Sequence, residues 1–316
     1  MKKSHKKCWI ISVVILLVLV LLFFGASWFI GRQIVTASTN LVTNEQTLAV
    51  IEDAWALEGF DEAAFRQTYT IETKTLPSSM EDRHPVPFDL ITEEGNENWV
   101  VMAHGMMGSR WTNYAPARFF LESGYNVLTY DQRSSGENTA KGSTFGVWEK
   151  FDLIDCIDFV KAQYPEAKLA VWGESLGGAT ALLAVAHENV QEDVDALILD
   201  CPVSSMEYMV QMSMEEMGIP LPMSYLLACG DRATRAELGF GYENADGAGA
   251  AERITVPTLI FRTMADEITP AFMGLEIYDH LATEQKLIYT AEDCAHIEIR
   301  VHEPEAYAAQ LREILP

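Results

Sequence analysis

Basic residues are few in this sequence of 316 residues. Lysine and arginine number 22 against 46 aspartates and glutamates, and the formal net charge is −24. A chain of that charge repels a phosphate backbone, so nucleic acid is not an expected partner. Such acidity is typical of a soluble surface, because net charge bears on solubility more than on fold.

The cysteines also lack the spacing of a metal site. No C-x-x-C pair and no accompanying histidine pattern occurs, so we predict no zinc site. Nothing in their spacing pairs the last four with one another, and we expect these to be buried, unpaired thiols. The five positions are Cys8, Cys156, Cys201, Cys229 and Cys294.

One long run, Trp9–Ile30, carries no charge. Its 22 residues would span roughly 33 Å as a helix, which is enough for a bilayer core. Trp9 and Trp28 stand near its two ends, where aromatic rings prefer the interface. Four lysines lie in the first seven residues and a lone Arg32 follows the run, so we predict a cytoplasmic N-terminus and an extracytoplasmic remainder.

A cleaved signal peptide is the competing interpretation of this run. Its apolar part would be about 7–15 residues long and would lead closely into a small-x-small cleavage site. Here the run is longer, and the small residues at 25–27 are followed by three more apolar residues. An uncleaved membrane anchor is therefore favoured.

The rest of the chain predicts an α/β architecture. Two alternating stretches, Thr68–Leu76 and Val86–Thr92, are typical of antiparallel opening strands. Short apolar runs then alternate with helical patterns, which favours a mostly parallel central sheet with helices on both faces. The predicted strands of this part are Trp99–Ala103, Tyr125–Tyr130, Lys168–Trp172, Val194–Leu199, Thr258–Arg262 and Lys286–Tyr289.

The segment at about 203–253 does not follow this alternation. It is too long for a plain connection and has no strand pattern, so we predict an inserted lid of two or more short helices. Several methionines share one helical stripe in it. These methionines either pack between the inserted segment and the core, or form an adaptable apolar surface over an acyl-binding pocket.

The sequence Gly173-Glu174-Ser175-Leu176-Gly177 stands between a predicted strand and a helix rich in small residues. A strand, G-x-S-x-G and a helix in this order are the context of a nucleophile elbow. The sharp turn needs small neighbours, which the two glycines supply. Ser175 is thus the predicted nucleophile.

A serine needs a histidine to take its proton and a carboxylate to orient that histidine. After a nucleophile elbow of this kind, the acid comes next along the chain and the histidine comes last. Asp266 and His296 follow the last two predicted strands, at the edge where α/β sheets place their sites. Glu267 is an alternative acid, and Asp200 also ends a strand, although its Asp-Cys-Pro setting is more typical of a turn.

A developing oxyanion needs two backbone N–H donors. The amide of Leu176 follows the nucleophile at a helix start, and we expect it to be one donor. The amide of Met106, in the loop after the first parallel strand, is the expected second donor. His104 in the same loop is interpreted as a brace of the loop.

Together these motifs resemble the serine α/β-hydrolase superfamily, and most of all its membrane-anchored bacterial branch of alpha/beta hydrolases and serine aminopeptidase-like proteins. The likeness covers about residues 68–316, and Ser175, Asp266 and His296 match the family's catalytic positions. In the segment Asp131–Asn138, Ser134 replaces a family glycine and Asn138 a serine. The resemblance implies hydrolysis of esters, thioesters or amides with no metal or organic cofactor.

The sequence thus predicts an α/β-hydrolase fold with three parts. These are a basic tail and transmembrane anchor (1–31), a juxtamembrane helical segment (32–67) and the hydrolase domain (68–316). We expect a serine esterase that uses an acyl-enzyme on a small-molecule ester or acyl substrate and contacts the membrane through its N-terminal helix. The alternatives are a peptidase or amidase of the same fold, and a binding protein that keeps the fold without catalysis.

Overall fold

The computed structural model describes residues 2–316. Eight strands form one sheet within this range, namely β1 (Thr70–Pro77), β2 (Pro85–Thr92), β3 (Asn98–Ala103), β4 (Tyr125–Tyr130), β5 (Leu169–Glu174), β6 (Ala196–Asp200), β7 (Thr258–Thr263) and β8 (Lys286–Ala291). The helices are α1 (Lys2–Thr39), α2 (Asn44–Ala49), α3 (Ile51–Leu57), α4 (Glu62–Thr68), α5 (Tyr114–Leu121), α6 (Glu149–Gln163), α7 (Leu176–Val185), α8 (Met206–Glu216), α9 (Met223–Leu238), α10 (Gly247–Ala251), α11 (Phe272–His280), α12 (Ile299–His302) and α13 (Pro304–Ile314).

The sheet confirms the predicted architecture. Its strand order is β1-β2-β4-β3-β5-β6-β7-β8. The strand β2 is antiparallel to both β1 and β4, and the remaining neighbours are parallel. Val101 of β3 pairs with Leu128 on one side and with Val171 on the other. The carboxyl ends of β5, β6, β7 and β8 therefore meet at one edge.

The central strands are continuous apolar runs because both faces of the sheet are covered. Every residue of β4 and β5 is buried. The helix α7 is buried along its whole length, and its small residues allow it to pack closely against the sheet. Of the five cysteines, the four predicted to be buried are buried, whereas Cys8 is exposed.

The chain divides into two compact units, one formed by residues up to Thr39 with Met209–Asn244 and the other by Asn40–Tyr208 with Ala245–Pro316. In the first unit α1 packs on α9. A Cβ on Gly31 would lie 2.3 Å from the carbonyl oxygen of Cys229, so this contact needs a glycine. By length and composition α1 qualifies as a membrane-spanning helix, although a signal sequence meets the same test.

The segment 203–253 is helical, as its sequence pattern predicted. It contains α8, α9, a 3-10 turn at Tyr242–Ala245 and α10. Within the described residues, its β-structure is limited to one isolated antiparallel bridge between Ser205 and Asp246. The role of this segment as a lid stays a prediction.

Candidate active site

Ser175 occupies the sharp turn between β5 and α7. Its backbone has φ of +50° and ψ of −117°, a conformation that L-residues rarely adopt. A Cβ on Gly173 would lie 2.3 Å from the carbonyl oxygen of Gly177, and one on Gly177 would lie 2.1 Å from that of Ala103. The two glycines therefore permit the turn, as the motif predicted.

The elbow is fixed to the end of β6. The amide of Ser175 donates to the carbonyl oxygen of Asp200 at 2.8 Å. The carbonyl oxygen of Ser175 accepts from the amides of Gly178 at 3.0 Å and Val203 at 3.2 Å. These hydrogen bonds hold Ser175 in its strained backbone conformation. Strained conformations of this kind persist at functional sites because surrounding contacts fix them.

Asp266 lies in the loop after β7 and is bound from several sides. Its Oδ1 accepts from the amides of Ile268 and Thr269, each at 2.8 Å. Its Oδ2 lies 2.7 Å from Nδ1 of His296. Burial raises the pKa of Asp266, but the bonds from His296 and from the two amides outweigh it and hold this pKa below its usual value. The carboxylate is therefore ionised at neutral pH.

The ionised carboxylate fixes the histidine tautomer. Since Asp266 accepts at Nδ1 of His296, that nitrogen carries the proton of the neutral tautomer, which leaves the lone pair at Nε2. The ring of His296 is half-buried, so Nε2 belongs to a side chain that is partly open to solvent. Such a ring can act as a general base.

Thr269 connects this pair to the end of β6. Its hydroxyl oxygen lies 3.1 Å from Nδ1 of His296 and 2.9 Å from Oδ2 of Asp266. The same hydroxyl is 3.0 Å from the carbonyl oxygen of Cys201, directly after the Asp200 carbonyl that binds Ser175. The residue pair Asp200–Cys201 thus lies between the elbow and the acid–base pair.

The structure brings Asp266 and His296 into direct contact and places Ser175 at the same sheet edge. Among the described residues, no hydrogen bond joins the Ser175 hydroxyl to the His296 ring. Catalytic hydrogen bonds are often long before substrate binds. The full triad is accordingly part of the proposal made below.

The alternative acids lie elsewhere. The carboxylate of Asp200 accepts from Arg300 and from the hydroxyl of Tyr307, both at 3.1 Å. Glu267 is exposed, whereas Asp266 is buried against His296. The contacts favour Asp266 as the partner of the histidine.

The loop after β3 lies against the elbow. The amide of Gly105 donates to the Glu174 carboxylate at 3.2 Å, and a Cβ on Gly105 would lie 3.3 Å from the Cβ of Ser175. Among the hydrogen bonds of the described residues, none has the amide of Met106 or of Leu176 as its donor. Their role as oxyanion donors stays a prediction.

His104 is bonded as a neutral ring. Its Nδ1 lies 2.8 Å from the carbonyl oxygen of Gly105, and its Nε2 accepts from the amide of Gln132 at 3.0 Å. Burial lowers the pKa of His104 to about 4. These contacts tie the loop after β3 to the loop after β4, in agreement with the predicted bracing role.

The two departures from the family pattern are accommodated locally. Ser134 has φ of +59°, a region that favours glycine, and its hydroxyl accepts from the amide of Gly142 at 2.9 Å. The side-chain amide of Asn138 donates to the carbonyl oxygen of Asp131 at 2.9 Å. Both side chains therefore stabilise the loop in which they replace other residues.

Sequence reasoning missed a buried charge cluster below the elbow. The guanidinium of Arg300 lies 2.8 Å from Glu58, 3.0 Å from Glu174 and 3.1 Å from Asp200. Burial lowers the pKa of Arg300, but the three carboxylates outweigh it and keep the arginine charged. Of the four residues, Glu174 lies inside the elbow motif and Asp200 was considered as an acid at a strand end, but no pattern marked Glu58 or Arg300.

One group near the acid–base pair has donor types that bind metals. The side chains of Cys201, Asp266 and His296 have ligand atoms within 4.8 Å of one another. Burial and the carboxylate of Asp200 raise the pKa of the Cys201 thiol well above its usual value. A cysteine binds a metal as its thiolate, which the raised pKa of Cys201 disfavours, and Asp266 is already bound by His296. This group therefore fits a metal poorly.

Comparison with known proteins places these features in context. Residues 98–225 match the family model described as the alpha/beta hydrolase fold. The chain is 25% identical over 219 residues to the Bacillus subtilis protein called "Uncharacterized protein YqkD", which covers 69% of this chain and 71% of that protein. It is also 25% identical over 193 residues to lysophosphatidylserine lipase ABHD12 of Rattus norvegicus, which covers 58% of this chain and 45% of the lipase.

The chain thus spans less than half the length of that lipase. Among solved structures, it is similar to the esterase Pf2001 of Pyrococcus furiosus, with a TM-score of 0.62 and 20% identity. That likeness covers 79% of this chain and 93% of the esterase chain. At this identity the likeness bears on the fold.

Proposed function

We propose that this chain, which has the fold of the serine α/β-hydrolase superfamily, is a serine esterase tethered to a membrane and acting through an acyl-enzyme. The observation that carries this proposal is the hydrogen-bonded pair of Asp266 and His296 at the sheet edge where Ser175 occupies a strained turn. A histidine of fixed tautomer at the same sheet edge as an elbow serine supports nucleophilic catalysis.

In the proposed mechanism Nε2 of His296 takes the proton of the Ser175 hydroxyl as its oxygen attacks the ester carbonyl. Asp266 stabilises the imidazolium that forms, and the amides of Met106 and Leu176 bind the oxyanion. The imidazolium then protonates the leaving alkoxide as the C–O bond breaks, which leaves an acyl-serine. Water, deprotonated by His296, attacks this ester and releases the acid and the free enzyme.

The preference for esters is supported by the names of two similar proteins, an esterase and a lipase. A peptidase or amidase would use the same groups, and the leaving group decides between them. We propose that the tether is α1, with the N-terminus in the cytoplasm and the catalytic part outside. The lysines before the apolar run support this orientation.

A fluorophosphonate probe tests the enzyme proposal, because it labels activated serines. The wild type should be labelled, whereas Ser175→Ala and His296→Ala should not. Ser79→Ala, at an exposed serine, is the matched control and should label like the wild type. A folded wild type that resists labelling would contradict the proposal and favour a binding protein.

Two further measurements address substrate and topology. A panel of p-nitrophenyl esters, run beside aminoacyl anilides, should show turnover of the esters, and a preference for the anilides would overturn the esterase assignment. Protease added to intact cells should digest the catalytic part. Protection of that part would reverse the proposed orientation.

A further inference from the structure

The connection between α8 and α9 is an exposed apolar segment. Its sequence is Met217-Gly218-Ile219-Pro220-Leu221-Pro222, and we call it the α8–α9 loop. Met217 is 58% exposed and Leu221 is 41% exposed. No charged residue occurs from Met217 to Gly230, so the loop and the first half of α9 form one uncharged stretch. Exposed apolar surface that is contiguous marks a contact with a membrane or a protein.

The first turn of α9 packs against the apolar run of α1. The hydroxyl oxygens of Ser27 and Tyr225 lie 2.7 Å apart and share a hydrogen bond. The ring centroids of Phe23 and Tyr225 are 5.9 Å apart. Ser27 and Phe23 both belong to Trp9–Ile30, the run that we propose to span the membrane. Tyr225 therefore contacts the part of α1 that would lie in lipid.

Further along, the two helices leave this run side by side. Gly230 lies against Ile34, because a Cβ on Gly230 would be 2.8 Å from Cγ2 of that isoleucine. Arg32 forms an ion pair with Glu237 at 2.7 Å. The helices thus run in the same direction, and the charged half of α9 lies beside the residues that follow the apolar run. The end of α9 that joins the α8–α9 loop is the end nearest the middle of that run.

The contacts with α1 set the depth of the loop. Ser27 and Phe23 precede Ile30, the last residue of the apolar run, by three and seven positions. At about 1.5 Å per residue, these positions lie roughly 5 and 10 Å inside the end of the run. Elements that lie in a membrane interface bury their apolar side by about 5–10 Å. The loop that leads into Tyr225 is therefore at the depth of the boundary between headgroups and acyl chains.

The backbone of the α8–α9 loop suits a region poor in water. The amides of Met217, Gly218 and Leu221 donate to carbonyl oxygens at 3.1, 3.0 and 2.8 Å. Pro220 and Pro222 have no N–H group. An N–H group without a partner is unfavourable in lipid, so a loop with few free amides can enter the interface.

The flanking charges indicate which lipids make this contact. The helix α8 ends with Glu215 and Glu216, and the loop has no lysine or arginine. Attraction to anionic headgroups requires basic side chains, and acidic ones repel such headgroups. The contact is therefore apolar, and lipids without net charge suffice for it.

We propose that the α8–α9 loop and the first turn of α9 enter the membrane leaflet beside the C-terminal end of the apolar run of α1, with Met217 and Leu221 in contact with lipid. The protein then has a second membrane contact in addition to its spanning helix. This inference rests on the proposed tether, because the depth of the loop is measured along α1.

A fluorescent reporter tests this contact in the full chain, reconstituted in phosphatidylcholine bilayers. In a Cys8→Ser background, the polarity-sensitive dye nitrobenzoxadiazole is attached at Leu221→Cys, since the other four cysteines are buried. A nitroxide on the lipid acyl chain should quench at least about half of its emission, and aqueous iodide should quench little. Ala236→Cys, at an exposed position in the last turn of α9, is the matched control and should show the reverse.

Leu16→Cys, at an exposed position in the middle of the apolar run, tests the tether separately. Its reporter should be quenched by the lipid nitroxide, and absence of quenching there would contradict the spanning helix and the inference with it. Quenching at Leu16 together with a Leu221 reporter that the lipid nitroxide leaves bright would overturn the inference alone. The loop would then face water or a protein partner.

Met217→Cys provides a second reporter if Leu221→Cys does not fold. It should show the same lipid quenching as the Leu221 reporter. Adding Leu221→Glu to Met217→Cys should abolish that quenching, because a carboxylate is unfavourable at this depth. Unchanged quenching in the presence of the glutamate would show that lipid contact does not depend on the apolar loop, and would overturn the inference.

Discussion

Glu58 and Arg300, separated by 242 residues, form a buried ion pair in which Nη2 lies 2.8 Å from Oε1. Arg300 also contacts Glu174, the residue before the proposed nucleophile. The segment between α3 and α4 is thus joined to the elbow through one guanidinium.

Arg300→Ala should lower the free energy of unfolding by about 3–5 kcal/mol, because it leaves three carboxylates buried without a cation. Chemical denaturation of the full chain in detergent measures this change. Arg312→Ala, at an exposed arginine of α13, should stay within about 0.5 kcal/mol of the wild type. Equal effects of the two variants would show that the cluster adds nothing to stability.

Asp266→Asn should reduce kcat by about 10⁴, since an amide no longer fixes the tautomer of His296 or stabilises its charged form. Glu267→Gln changes the neighbouring carboxyl in the same way and should keep most of the activity, because Glu267 is exposed. Steady-state hydrolysis of a p-nitrophenyl ester measures both. The reverse order of effects would make Glu267 the catalytic acid.

His104 should make the fold sensitive to acid. Its pKa in the fold is about 4 because the ring is buried, whereas the unfolded value is about 6.5. Between these values the unfolded chain binds more protons, so stability rises with pH across this window and falls as the pH drops from 6.5 to 4. Across this window the free energy of unfolding changes by about 3 kcal/mol in total.

The matched comparison is His104→Gln, which should remove that part of the pH dependence at some cost in overall stability. His280→Gln, at an exposed histidine, should leave the wild-type curve unchanged. Denaturant midpoints at several pH values between 4 and 7 provide the measurement. A His104→Gln curve parallel to the wild type would contradict the assignment of a buried neutral ring.

Much of the fold follows from local patterns. Apolar runs of five or six residues and glycines at a turn depend on immediate neighbours, so β4 and the Ser175 elbow could be located from the sequence. The positions of Asp266 and His296 follow from chain order and strand ends. The sequence pattern could not predict how the two side chains are oriented, which the structure shows as a contact of 2.7 Å between Asp266 and His296.

The long-range polar contacts could not be predicted. Glu58 directly follows the short helix α3, at a position where an acidic residue is ordinarily solvated. Arg300 carries no motif, and Asp200 was interpreted as part of a turn. Each acquires its role from a partner that the fold brings close, so no local pattern marks it. The same holds for Thr269, whose contacts with His296 and Cys201 join separate loops.

The bond between Gly105 and Glu174 has a mechanical consequence. Glu174 directly precedes Ser175 in the chain. Its carboxylate also accepts a hydrogen bond from the loop after β3, which contains the proposed oxyanion donor Met106. This hydrogen bond therefore couples the tip of β5 to that loop. If the proposed roles are right, this coupling should help the attacking group and its charge-stabilising counterpart to keep their spacing when the sheet edge moves.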